Sequence, residues 1–184
     1  MSEVIFEEIQ KVRNKWLWTL MLFTGFFFPI IAVIGFIQQI IYGIPFGNNP
    51  LPDSGFIIVA ITGSLFGLGI FYLFLIAKLE IQIKEDGVNY RYIPFINRFK
   101  LIRKEDIESY EVKKYNPIRD YGGWGIKSSF KEKGTAYSVD GNLGLQLIFN
   151  QKGKHKKILI GIRSPEEIQL AMNKMMNKSN MVVK

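Results

Sequence analysis

The sequence predicts an α+β membrane protein, in which a two-helix transmembrane hairpin precedes an antiparallel β-barrel with one C-terminal capping helix. Three observations predict it. Residues 16–42 and 55–77 contain no Asp, Glu, Lys, Arg or His, and each run exceeds the roughly 20 residues needed to cross a hydrocarbon core of about 30 Å. From Leu79 onward apolar residues alternate with polar ones between turn signals, as in a series of short antiparallel strands. Near the end, Ile168, Ala171, Met172, Met175 and Met176 fall at helical spacing and make one apolar face. The 184 residues then divide into an N-terminal segment 1–15, a helical hairpin 16–77, a domain 78–178 and a tail 179–184.

In the first segment the acids Glu3, Glu7 and Glu8 and the bases Lys11, Arg13 and Lys15 are interspersed with apolar residues. Ile5, Ile9 and Val12 recur at helical spacing, so this segment reads as a short interfacial helix whose bases meet anionic headgroups, with a frayed terminus as the plainer alternative. In the first span Pro29 removes a backbone donor and crowds the carbonyl of Gly25, predicting a kink over 25–28. In the second, Ala60, Gly63, Ser64 and Gly67 form a small-residue face suited to close helix packing, with the partner helix expected to be the first span of the same chain. Gln38 and Gln39 are the only strongly polar side chains of the spans, and the absence of intramembrane charge argues for an anchor rather than an ion or proton path.

Orientation is read from the flanks. Three bases precede the first span, none lies in the loop at 43–54, and a basic domain follows the second. The positive-inside rule places both termini in the cytoplasm and the short loop outside, as in a multi-pass membrane protein. From residue 78 onward there are 21 Lys and Arg against 12 Asp and Glu. That excess favours an anionic membrane surface or an acidic partner; no aromatic and basic pattern supports nucleic acid.

After the spans, Leu79, Ile81 and Ile83 alternate with polar residues, Glu85, Asp86 and Gly87 supply a turn, and Val88, Tyr90 and Tyr92 alternate again, predicting a β-hairpin. Further strands are expected over 98–102, 109–115, 124–130, 135–139, 143–150 and 156–162, divided by turn signals such as Asn116-Pro117 and Gly122-Gly123. Ser164, Pro165 and Glu167 supply a cap, a first helical position and a capping box for the final helix.

There is no cysteine, so thiolate metal sites and thiol nucleophiles are excluded. The single histidine, His155, reads as a solvated loop side chain without the neighbours of a metal or triad site. Asp120, Glu132 and Asp140 read as acids in turns. No catalytic residue, metal ligand or cofactor site is therefore expected, and the chain is read as a non-enzyme. Two clusters stand out instead. Tyr115, Arg119, Tyr121 and Trp124, in a stretch rich in glycine, are a candidate recognition loop, with a tight bend plugged by aromatic rings as the plainer reading. Arg98, Lys100, Arg103 and Lys104 are candidate membrane-surface contacts, to which each base near an anionic leaflet would contribute about 1 kcal/mol, with a solvated face paired with Glu105, Asp106 and Glu108 as the equal alternative.

A membrane hairpin, about seven strands and one closing helix, together with Tyr121-Gly-Gly-Trp-Gly-Ile126, Gly141-Asn-Leu-Gly-Leu-Gln-Leu147 and Ile160-Gly-Ile162, resembles an uncharacterised branch of the bacterial PH-like domain membrane proteins. The resemblance implies a non-catalytic PH-like barrel at the cytoplasmic face, used for binding or scaffolding. The chain departs from phosphoinositide-binding PH domains, since only Lys84 and Arg91 flank its first hairpin turn and its last helix has no Trp. Expected partners are the bilayer with its anionic headgroups, and an unknown protein or a second copy. The alternative function is an accessory subunit of an oligomeric channel or transporter, assembled through Gly63 and Gly67.

Overall fold

In a computed structural model, residues 3–129 and 134–177 are described. The chain divides into a helical unit, Asn14–Ile76, and a sheet unit that combines Met1–Arg13 with Ala77–Lys184.

In the helical unit, helix α1 (Lys15–Gly35) is capped by the Asn14 side chain, which accepts from the Trp16 amide at 3.0 Å, and it continues as a π-helical turn over Phe36–Ile41. Helix α2 (Asp53–Ile76) packs antiparallel on it, and both helices are long and apolar enough to cross a membrane. A Cβ at Gly67 would lie 3.0 Å from the Gly25 carbonyl oxygen, and one at Gly25 would lie 2.8 Å from Phe71 Cβ, so the two backbones approach as only small residues allow. Trp18 against Phe74 and Phe26 against Phe71 fill the seam on either side. Gln39 is buried and its amide donates to the Leu51 carbonyl and the Asp53 carboxylate, both at 2.8 Å. This glutamine ties the loop back onto the end of α1, where an unmet polar group would cost several kcal/mol.

The sheet unit opens with strand β1 (Val4–Lys11), which pairs antiparallel with β2 (Lys78–Lys84). This corrects the expectation of an interfacial helix and of a separate N-terminal segment. Gln10 is wholly buried and donates to the Gly161 carbonyl at 2.6 Å, while β1 covers what would otherwise be the open edge of β2. The tertiary pairing overrides a helical spacing carried by only three residues.

Strand β2 continues through the Glu85-Asp86 turn into β3 (Gly87–Ile93) and then β4 (Ile96–Arg103), completing a sheet in the order β1-β2-β3-β4. A second sheet has the order β5-β8-β9-β7-β6, with β5 (Ile107–Lys114), β6 (Gly125–Ser128), β7 (Thr135–Ser138), β8 (Leu143–Gln151) and β9 (Lys154–Gly161). The expected closed antiparallel barrel is therefore corrected in two respects. The strands form two sheets of four and five rather than one closed ring, and β7 runs parallel to β9. The strand expected over 124–130 is shorter, and Phe130 lies outside the described residues. Helix α3 (Pro117–Tyr121) replaces what read as a turn, and α4 (Pro165–Asn177) ends the described chain.

Leu79, Ile81 and Ile83 of β2, Leu145 and Leu147 of β8 and Ile168, Met172 and Met175 of α4 share one core. Tyr92, 6% exposed, is in it, and burial pushes its phenol up to about 12. An acid whose pKa is raised by folding contributes stability that is whole below the unfolded value near 10 and is lost as pH rises through the folded value. At pH 11, midway between the unfolded and folded values, Tyr92→Phe should therefore spare the sheet unit about 1.4 kcal/mol of alkaline destabilisation, as read from denaturant midpoints at pH 8 and pH 11.

Candidate functional site

The two sheets leave a cleft of about 740 Å³ beside β4, within the range of small-molecule sites. Alternation places its walls. In β3 and β4 the register sets Tyr90 opposite Lys100 and Val88 opposite Ile102, so Lys100 projects on the same sheet face as the core residue Ile102. In β8 and β9, Phe149 pairs with Lys156 and Leu147 with Ile158, which brings Lys156 onto the core face just past the last apolar layer. Tyr137 of β7 packs its ring 4.9 Å from that of Tyr90, and both line the cleft.

The chemistry is one-sided. Lys100, Lys156 and Lys157 line the cleft, and no Asp or Glu does so among the described residues. The Lys156 ammonium donates to Gln151 Oε1 at 2.7 Å, and Lys100 has no polar partner among the described residues. Burial, reinforced by Tyr137, pushes the Tyr90 phenol far above its ordinary value, so it stays a neutral hydroxyl at any physiological pH. Ammonium groups with no acid beside them among the described residues, over a floor of Phe149, Ile102 and Ile158, suit an anionic group attached to an apolar body.

The four bases expected at a lipid surface are not brought together. Strand β4 carries Arg98 near its start and Arg103 at its end, where it pairs with Gly87, a separation of roughly 17 Å along the strand. Lys100 enters the cleft, Arg103 lies 3.3 Å from Glu105, and Lys104 donates to the Met175 carbonyl at the end of α4.

Tyr115 and Tyr121, expected in a recognition loop, are buried with Ala136 and Leu159 in a small second core, their rings edge to face at 5.9 Å. Burial raises both phenols. Trp124 donates its indole N–H to the Gly141 carbonyl at 2.8 Å, and Arg119 is exposed, 3.7 Å from Asp120. The stretch is thus built around α3, whose cap Asn116 accepts from the Arg119 amide at 2.9 Å and whose end is Gly122 in the left-handed conformation. Asn-Pro followed by Gly five residues later is the signal that could have revealed this helix.

Gly63 and Gly67 face Phe28 and Gly25 of the same hairpin, while Ala60 and Ser64 border an apolar groove with Pro29 and Val33. His155 lies on β9 rather than in a loop, with its Nδ1 2.8 Å from Glu108. Asp140 is bound to Arg163 at 2.9 Å and accepts from the Arg13 amide at 2.6 Å; Glu132 lies outside the described residues. No group of three or more His, Asp or Glu among the described residues is placed to hold a metal ion. Sequence reasoning missed Tyr90, Tyr137 and Lys156, which converge only through strand register.

No curated protein and no solved structure matches the chain. A family model matches residues 1–178, and by it the chain belongs to a family of unknown function, DUF6141.

Proposed function

We propose that the protein is a membrane-anchored, non-catalytic binding or scaffold module, with a PH-like sheet domain held at the cytoplasmic face of a bacterial inner membrane by the α1–α2 hairpin. The observation that carries the reading is the cleft lined by Lys100 and Lys156 and by no acid among the described residues, which suits an anionic group on a small ligand or on a protein partner. Support for the orientation comes from the bases at Lys11, Arg13, Lys15 and Lys78, which flank the apolar helices, and the uncharged loop side chains other than Asp53 between them. The accessory-subunit alternative has to use the groove beside Ala60 and Ser64, because Gly63 and Gly67 are covered within the hairpin.

Titration calorimetry of the full chain in zwitterionic nanodiscs with phenyl phosphate tests the cleft. Binding is expected, and Lys100→Gln or Lys156→Gln should each weaken it about tenfold, the loss of one charge-assisted hydrogen bond. Affinity unchanged in both variants would remove the cleft from the function.

A further inference from the structure

Strand register gives the sheet unit two distinct ends. Lys11 pairs with Lys78 and Lys78 with Ile93, so the β3–β4 turn, Pro94 and Phe95, projects from the same end at which β1 departs toward α1 and β2 arrives from α2. The second sheet shares that end. Gln10 donates to the Gly161 carbonyl, the Arg13 amide donates to Asp140, and Tyr115, just before α3, donates its amide to the Asn142 carbonyl. Helix α3 is therefore at this end too, and Trp124 braces it through Gly141. The Asn150–His155 and Glu85–Asp86 turns lie at the opposite end.

The two ends differ in surface chemistry. Among the described residues of the sheet unit, three large apolar side chains are more than 60% exposed: Phe95 and Ile118 at 67% and Leu170 at 69%. Leu170 borders a shallow groove with Ile5 and Phe6 of β1. Phe95 and Ile118 both belong to the end from which the helices leave, one on a hairpin tip and one on α3. Around them Lys11, Arg13, Arg98 and Arg119 are exposed. The acids at this end, Glu80, Asp120 and Asp140, all have partners: Lys78 and Arg91 for Glu80, the Asn116 amide and Arg119 for Asp120, and Arg163 for Asp140.

We propose that this end is a bilayer-contact surface, in which Phe95 and Ile118 enter the lipid interface and Lys11, Arg13 and Arg98 meet anionic headgroups. The proposal rests on the reading of α1 and α2 as membrane spans, and it goes beyond that reading by assigning a lipid contact to the sheet unit itself. Chain length singles out the bilayer over a soluble partner. Only residues 12–14 separate β1 from α1, and Ala77 alone separates α2 from β2. These connections reach about 10 Å and a few Å respectively, comparable with the thickness of one headgroup layer. Connections this short keep the end of the sheet unit that bears them within reach of the surface the helices would cross, and flanking cations on an apolar patch are the pattern of interfacial binding.

The chain contains no cysteine, so single spin labels report cleanly. The variants are Phe95→Cys, Ile118→Cys, Lys154→Cys at the opposite end and Phe66→Cys within α2, each labelled in the full chain and reconstituted into vesicles of phosphatidylcholine and phosphatidylglycerol. Relative accessibility to oxygen over a water-soluble nickel chelate should be several-fold higher at 95 and 118 than at 154, and highest at 66. If 66 is deep in lipid while 95 and 118 match 154, the surface proposal is overturned and the spans stand. If 66 itself is as aqueous as 154, both readings fall.

Discussion

Gly87→Ala should abolish cooperative folding of the sheet unit. A Cβ at this position would stand 2.1 Å from the Ile102 carbonyl oxygen and 3.0 Å from Arg103 Cα, in a backbone with φ of +149° that L side chains rarely adopt. The oxygen belongs to the neighbouring strand and cannot swing aside as a flexible side chain would. Relief requires β3 and β4 to separate where Gly87 pairs with Arg103, and Val88, one residue on, is a wholly buried member of the core. Strain and lost pairing together should cost about 4 kcal/mol or more, a large share of the 5–15 kcal/mol that holds a typical domain. Gly141→Ala is the control, since its φ of +76° is equally left-handed but nothing lies within 4 Å of an added Cβ. It should cost about 1 kcal/mol. Thermal unfolding followed by near-ultraviolet dichroism should show a sharp transition in the control and a broad or missing one in Gly87→Ala. Equal transitions in the two would show that β3 and β4 tolerate the intrusion.

Glu8→Ala should release the N-terminal strand. The Glu8 carboxylate accepts from the Arg163 amide at 2.9 Å, from the Ser164 amide at 2.9 Å and from the Gln10 side chain at 2.6 Å. It thus satisfies backbone donors immediately before α4 with an acceptor supplied by β1, and its charge suits the positive end of that helix. Removing it leaves two amides and a buried glutamine short of a partner, at a cost of about 2–4 kcal/mol. Arg163 also donates to the Lys11 carbonyl and pairs with Asp140, so the effect should remain local to this junction. Hydrogen exchange is the measurement. Protection should fall together in β1 and in the first turn of α4, while β2 and β3 keep theirs. Glu8→Gln, which retains one acceptor oxygen, should lose less. Uniform loss across the sheet unit would instead make β1 part of one indivisible core.

What could be read in the sequence was whatever depends on near neighbours. The helical unit follows from the absence of charge over two long runs, and the β2–β3 hairpin from Leu79, Ile81 and Ile83 alternating up to Glu85-Asp86-Gly87. Helix α4 follows from Ser164-Pro165 and its apolar face. Local pattern failed where the deciding partner is distant. Strand β1 is fixed by β2, about 70 residues later, and by Gly161, and nothing within residues 1–15 encodes either partner. The cleft is equally remote from local reading, because Lys100 and Lys156 come from different sheets and acquire their common setting only through register. Lys104 read as a surface cation, yet it closes the end of α4. Tyr115 and Tyr121 looked like recognition aromatics because glycine-rich context suggests openness, whereas Ala136 and Leu159 close over them.

The pairing of β1 with β2 also dictates an order of events during synthesis. Strand β1 is made first, but its partner emerges only after both apolar helices, so the first eleven residues must wait, unpaired, for the chain to come back to them. With α1 and α2 across a bilayer, that meeting happens only when both helices have crossed and residues 4–11 and 78–84 lie on one side. A chain arrested with a single crossing would hold the two strands on opposite sides, leaving Gln10 without Gly161 and the sheet with an open edge. On the proposed reading of α1 and α2 as membrane spans, the finished sheet would record correct insertion, because β2 keeps an open edge until β1 joins it on the same side.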